Sequence, residues 1–280
     1  MLRPWRRPGH PSHGGGVDAA ALLACSSLQL HRFAAPASLC ASLVDVLERE
    51  LRQWFIASAG RRPLGLATGR TMEPLYAGLV QRLRRWSSAD RRRLSQLWSS
   101  FNLDEYVGLM RGDRRSYRAF MAAHLAQPLQ LPAAAFHLPD GQAPDPEAAA
   151  AFYARRVQAS GGIGLQLLGL GTNGHVGFNE PPCGPEQVCH VVTLAEATCQ
   201  QNAAMFGGDA AAVPRQAITL GLSEILAARE IHLVVTGRSK APVLARLLAM
   251  QRPDASLPAS WLLDHPRVQL WADAGALSLA

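Results

Sequence analysis

The segment IGLQLLGLG, residues 163–171, limits the possible folds of this chain more than any other stretch. It is short, apolar throughout and closed by glycines, so it reads as a strand buried on both faces. Such strands belong to parallel sheets covered by helices. RPLGLATG (62–69), EIHLVVTG (230–237) and VQLWAD (268–273) have the same character, and LSQLWSSFNLDEY (94–106) reads as a further strand ending in acids. Between them lie apolar residues at helical spacing. These segments are SLVDVLERELRQWFIAS (42–58), TMEPLYAGLVQRLRRW (71–86, with Pro74 in the first turn), RSYRAFMAAHLAQPL (115–129), the second half of GQAPDPEAAAAFYARRVQAS (141–160), TLAEATCQQNAAMF (193–206) and SKAPVLARLLAM (239–250). AITLGLSEILAA (217–228) precedes the strand at 230. Alternation of this kind predicts an α/β fold: a doubly wound, mostly parallel sheet with helices on both faces.

The chain has 280 residues, 48% of them hydrophobic and 18% charged, enough for a sizeable core and unlike a disordered composition. No apolar run reaches the roughly 18 residues of a membrane span. Five cysteines (Cys25, Cys40, Cys183, Cys189, Cys199) form no CxxC pair, which points away from a disulfide framework or zinc site and toward the cytoplasm. The net charge of +7 is concentrated in MLRPWRRPGH (1–10) and in RLRRWSSADRRRL (82–94). The second reads as a solvated helical face whose arginine stems cover apolar surface, and no nucleic-acid-binding motif accompanies it. ALLAC (21–25) resembles a lipoprotein cleavage box, but the apolar stretch before Cys25 is short and Asp18 interrupts it. Residues 1–36 are expected to be a disordered extension or the product of an early start codon, with one domain spanning 37–280.

Ligands of doubly wound sheets bind at the carboxyl ends of the strands, and four segments with suggestive chemistry fall there. In LATGRTMEP (66–74), the turn Thr68, Gly69, Arg70, Thr71 offers backbone N–H groups at a helix start, suited to phosphate, although taken alone it reads as a plain β–α turn with a threonine cap. In FNLDEY (101–106), Asp104 and Glu105 are adjacent carboxylates at a strand end, able to raise each other's pKa, or else an acidic loop. LGLGTNGHVGFNEPP (168–182) sets His175 and Glu180 in a glycine-shaped loop, where a carboxylate can fix the histidine tautomer; one histidine and one acid do not make a metal site. VVTGRSKAP (234–242) holds Lys240. Of 28 Lys and Arg residues it is the only lysine. A compact ammonium suits a phosphate in a pocket that a forked guanidinium does not fit.

In this order and at these separations, FNLDEYVGL and GLGTNGHVGFNEPP resemble the glucosamine-6-phosphate deaminase family, over residues 60 to 273. The resemblance implies the fold shared with 6-phosphogluconolactonase and ribose-5-phosphate isomerase. It implies an enzyme that isomerises and deaminates a hexosamine 6-phosphate, with no metal and no organic cofactor. By position, Asp104 matches the base that moves a proton between C2 and C1 through an enolamine. His175 matches the residue that opens the pyranose ring and Glu180 the carboxylate that orients it. Thr68, Gly69 and Thr71 fall in the phosphate turn, Gly171 in the glycine loop, and Lys240 matches the phosphate lysine.

Three departures stand out. Asn173 occupies a position where these enzymes usually have aspartate, Ala204 one where they have a phosphate arginine that Arg70 could replace, and the C-terminus lacks the extension of the hexameric allosteric enzymes. With ITLGLSEILAARE and LPAS, these features resemble the galactosamine-6-phosphate deaminase/isomerase branch. The expectation is galactosamine 6-phosphate to tagatose 6-phosphate, or glucosamine 6-phosphate to fructose 6-phosphate, plus ammonia. A monomer or small homo-oligomer is expected, with no nucleic-acid or membrane partner. A lactonase-like hydrolase, or a sugar-phosphate sensor without turnover, are the alternatives.

Overall fold

The computed structural model describes residues 28–57, 60–110 and 112–280. Its strands are β1 (Leu28–Phe33), β2 (Leu64–Leu66), β3 (Ser100–Asn102), β4 (Asp104–Tyr106), β5 (Phe136–His137), β6 (Leu165–Gly169), β7 (His190–Thr193), β8 (Gln216–Thr219), β9 (Glu230–Val235) and β10 (Val268–Asp273). Seven of them make one sheet in the order β1-β10-β9-β6-β2-β3-β5, with every neighbouring pair parallel. Successive residues of a strand face opposite sides, and all three residues of β2 and the first four of β6 are buried. Both faces of the sheet centre are therefore covered, as the unbroken apolar runs require.

The helices are α1 (Pro36–Ile56), α2 (Glu73–Arg84), α3 (Ser88–Leu97), α4 (Tyr117–Met121), α5 (Gln127–Leu129), α6 (Pro146–Ala159), α7 (Glu196–Asn202), α8 (Leu222–Leu226) and α9 (Ala241–Ala249). α1 shows how they attach: Leu39, Leu43, Leu47 and Leu51 recur every fourth residue and are fully buried. A π-helical turn, Ala122–Ala126, joins α4 to α5, so residues 117–129 are helical as the pattern predicts. Arg82 pairs with Asp45 and Glu48, and Arg52 lies over the Trp86 ring, so the arginine-rich face is a solvated helical surface. Among the described residues no helix is long and apolar enough to cross a membrane, and Cys40, Cys183, Cys189 and Cys199 are free and buried. Cys25, ALLAC and MLRPWRRPGH lie outside the described residues.

Two expectations need correction. The folded chain reaches back at least to Leu28, because β1, which lies inside the stretch read as an extension to residue 36, pairs with β10 from Leu28↔Val268 to Phe33↔Asp273. His31 and Arg32 break its apolar pattern, and His31 stacks on Trp271 instead of entering the core. The strand read at 94–106 is really the end of α3, then β3, then β4. The Ser87 side chain caps α3 by accepting from the Asp90 N–H, and only Trp98 and Ser99 separate the helix from β3, with no Gly or Pro to mark the change. Beside the doubly wound parallel sheet expected from the sequence stands a small second sheet, in the antiparallel order β4-β8-β7.

The two sheets meet at Leu103. Its N–H donates to the Leu66 carbonyl of β2, and its own carbonyl accepts from Leu220 N–H, just beyond β8. The chain thus leaves one sheet at Asn102 and enters the other at Asp104. On its far side β4 is held by Gly141, where an added Cβ would sit 2.0 Å from the Tyr106 carbonyl oxygen, a backbone atom that cannot step aside. Gly141→Ala should therefore destabilise the fold by about 1–3 kcal/mol, the usual cost of overpacking. A thermal melt checks this, and an unchanged Tm would show that β4 is not clamped there.

Candidate active site

A cleft of about 530 Å³ opens where the C-terminal ends of β2, β6 and β9 meet β4 and α7. Asp104 lies on one wall, at the junction of the two sheets. Its side chain is almost wholly buried, at 6% exposure. It receives no hydrogen bond from a described residue, and burial, with the Glu105 charge next to it, raises its pKa well above the ordinary value. Glu105 points the other way along the strand and accepts from the N–H groups of Tyr106, Tyr117 and Arg118. The two acids therefore divide their work: Asp104 faces the cleft, and Glu105 anchors the start of α4.

His175 is equally buried and lies flat against the backbone of Gly171. An added Cβ there would come within 2.4 Å of three ring atoms, so a residue with any side chain would push the imidazole away. Nδ1 faces Glu180 Oε2 at 3.6 Å and Thr198 Oγ1 at 3.5 Å. That side of the ring keeps the proton, and Nε2 is left as the acceptor. Glu180 is a hub. Oε1 accepts from the Thr198 hydroxyl at 2.5 Å and from Ala195 N–H at 3.3 Å, and Oε2 accepts from Asn173 Nδ2 at 2.6 Å. Burial opposes its ionisation, but His175, Thr198 and Asn173 outweigh that and hold Glu180 down to about 2. Asn173 also accepts the His175 backbone N–H through Oδ1, at 3.2 Å. It thus ties the Glu180 carboxylate to the backbone of His175.

On the opposite side the turn of Thr68, Gly69, Arg70 and Thr71 lines the cleft, together with Gly171 and Lys240. Thr71 does not cap α2, whose N-cap is Met72 with no side-chain bond, while Thr68 of the same turn is hydrogen-bonded to the Tyr117 side chain. Lys240 ends a 3₁₀ turn (Arg238–Lys240) at the start of α9 and is half-buried, and its Nζ donates to Gln201 Oε1 at 2.9 Å. Burial, with Arg70 adding to it, lowers its pKa to about 8. Two cations that line one cleft and repel each other form a place for an anion.

All ten sequence-predicted site residues are thus gathered in or directly behind one cleft. Sequence reasoning missed Thr198, Gln201 and Tyr117, which bonds Tyr106 Oη at 3.2 Å. Each sits on a helix whose polar residues look solvent-facing, and only the fold turns them inward. Among the described residues no cluster of His, Cys, Asp and Glu could hold a metal.

The family described as glucosamine-6-phosphate isomerases/6-phosphogluconolactonase matches residues 34–271. A glucosamine-6-phosphate deaminase of Geobacillus sp. (strain WCH70) is 41% identical over 228 residues, covering 80% of this chain and 88% of that protein. Another, of Rhodopirellula baltica, is 43% identical over 230 residues, with coverages of 81% and 88%. In three dimensions the chain matches a monomeric glucosamine-6-phosphate deaminase with a TM-score of 0.79 at 32% identity, covering 90% of this chain and 100% of that one. The 6-phosphogluconolactonase of Leishmania guyanensis, at 19% identity and TM-score 0.68 with coverages of 89% and 97%, shares the fold.

Thr198→Val keeps the volume of the side chain and removes a donor from Glu180. A carboxylate held down to about 2 adds stability that is present above its ordinary value of 4.5 and is lost as pH falls toward 2. The substitution should raise the Glu180 pKa, so acid unfolding followed by circular dichroism should begin at a higher pH. A superimposable acid transition would mean that Thr198 does not hold the carboxylate.

Proposed function

The chain belongs to the family of glucosamine-6-phosphate isomerases and 6-phosphogluconolactonases, and on that footing we propose that it is a deaminase that converts glucosamine 6-phosphate to fructose 6-phosphate and ammonia. The observation that carries this reading is Asp104: a buried, unbonded carboxylate of raised proton affinity facing the cleft. Abstraction of a proton from carbon needs such a base. Hydrolysis of a lactone does not, and neither does a sensor. The names of the relatives favour the gluco epimer over the galacto epimer suggested by Asn173 and Ala204.

The 6-phosphate sits between the Thr68–Thr71 turn and Lys240, with Arg70 supplying the second cation. His175 Nε2 takes the proton of the anomeric hydroxyl and hands it to the ring oxygen as the C1–O5 bond breaks, leaving the open-chain aldehyde. Glu180, ionised throughout the working range, stabilises the imidazolium that results. Asp104 removes the C2 proton, the electron pair forms the C1=C2 double bond, and the carbonyl oxygen takes a proton from the substrate's ammonium to give the enolamine. Return of a proton at C1 leaves an iminium at C2; water adds there, the C–N bond breaks, and ammonia departs. The sequence of steps balances without an oxidant or metal. The protein works in the cytoplasm as a monomer or small homo-oligomer, with no nucleic acid or membrane partner. Light scattering on purified protein tests the oligomeric part.

The direct test is ammonia release from glucosamine 6-phosphate and galactosamine 6-phosphate side by side, with no added metal. Higher kcat/KM with the gluco sugar is expected, and silence with both sugars that bind would leave a sensor. Asp104→Asn should lower kcat by about 10²–10⁴-fold, the usual contribution of a general base, and leave substrate binding nearly unchanged. Equal loss of binding would remove Asp104 from that role. Lys240 adds a pH dependence of definite sign. It is charged below about 8 and neutral above, so kcat/KM should fall as pH rises through that value. Lys240→Arg should weaken substrate binding at neutral pH and abolish that alkaline limb. Persistence of the limb in the arginine variant would assign it to another group.

A further inference from the structure

The side chain of Gln201 lies across the anion end of the cleft. From the end of α7, its Oε1 accepts from Lys240 Nζ at 2.9 Å and from the backbone N–H of Thr172 at 3.3 Å. The two donors come from different loops, one after β9 and one after β6, and meet on a single oxygen. Both are donors only, so the amide must present its carbonyl to them. A backbone N–H of a glycine-rich loop and an ammonium are also the pair that a phosphoryl oxygen seeks. Lys240 has no carboxylate partner among the described residues, and its charge is further disfavoured by Arg70. The amide oxygen is neutral and leaves that charge uncompensated.

We propose that Gln201 is a place-holder for a phosphoryl oxygen, a specificity-determining residue that must swing away for substrate to bind. This rests on the phosphate end of the cleft assigned above and adds to it the basis of discrimination. A phosphate oxyanion exchanges a neutral acceptor for a charged one and wins. A hydroxyl of an unphosphorylated sugar exchanges like for like, gains nothing, and leaves the amide in place. In the resting protein the same contact holds the flexible lysine stem in position and keeps the N–H of Thr172 satisfied.

Because Lys240 is the only lysine, protein labelled with ¹³C-lysine gives one lysine side-chain resonance, and the exchange can be followed without turnover. The probe is inorganic phosphate, titrated at pH 7 into wild type, Gln201→Ala, Gln201→Asn and Gln201→Glu. Phosphate should shift the wild-type resonance. Ala, and Asn with its shorter reach, should bind phosphate more tightly by about tenfold, the worth of a charged hydrogen bond that no longer has to be broken. Glu, which supplies a permanent anion, should weaken binding by at least about tenfold. The kcat/KM preference for phosphorylated over unphosphorylated glucosamine should fall in the Ala and Asn variants. Weaker or unchanged phosphate binding in both Ala and Asn would overturn the proposal, making Gln201 a phosphate contact or a bystander. So would an indifferent Glu variant, or a wild-type resonance that phosphate does not move. A failed ammonia assay with the expected phosphate series would refute the deaminase and leave the place-holder standing.

Discussion

The site depends on the backbone of one residue. Leu103 gives its N–H to β2 of the parallel sheet and its carbonyl to the segment following β8 of the antiparallel one. These two bonds fix the angle at which the chain passes between sheets, and Asp104 is the next residue. A carboxylate on an ordinary loop would sit in water and ionise freely. At a seam between two sheets it is enclosed by both, and its affinity for a proton rises as a consequence of burial. The small second sheet contributes Asp104 to the wall of the cleft.

Opposite Asp104, the same burial gives the reverse outcome. Glu180 is also removed from water, yet Thr198, Asn173 and Ala195 all direct donors at it and His175 adds its ring. Two acids in one region are thus driven apart, one toward protonation and one firmly ionised. Proton transfer and electrostatic support require that division. The asparagine at position 173 fits this scheme. An aspartate there would place a second negative charge beside Glu180, whereas the amide donates.

Much of this was legible in the sequence because strands buried on both faces have no polar alternative. The runs at 62–69, 163–171, 230–237 and 268–273 each hold a strand of the parallel sheet. The glycine-bounded turns that follow them carry Thr68, His175 and Lys240 to the same edge of the sheet. What could not be read were features set by long-range pairing. β4 and β3 form one apolar-to-acidic run, and nothing local says that a new sheet begins at Asp104. β1 looked like part of an extension because half its surface is polar and its partner lies some 240 residues away (Leu28↔Val268). Thr198 and Gln201 carry no motif; their roles follow from where α7 lands.

The preference for arginine over lysine has a chemical consequence. A guanidinium keeps its proton at any pH that leaves a protein folded, so 27 of the 28 lysine and arginine side chains are fixed charges. The remaining one is a half-buried amine whose pKa is about 8. Near that pH a substantial part of it is the free base, the form that attacks acyl groups and aldehydes. Acylating reagents, and the open-chain form of a reducing sugar, would therefore find a single nucleophilic side-chain amine on this protein, and it lines the cleft.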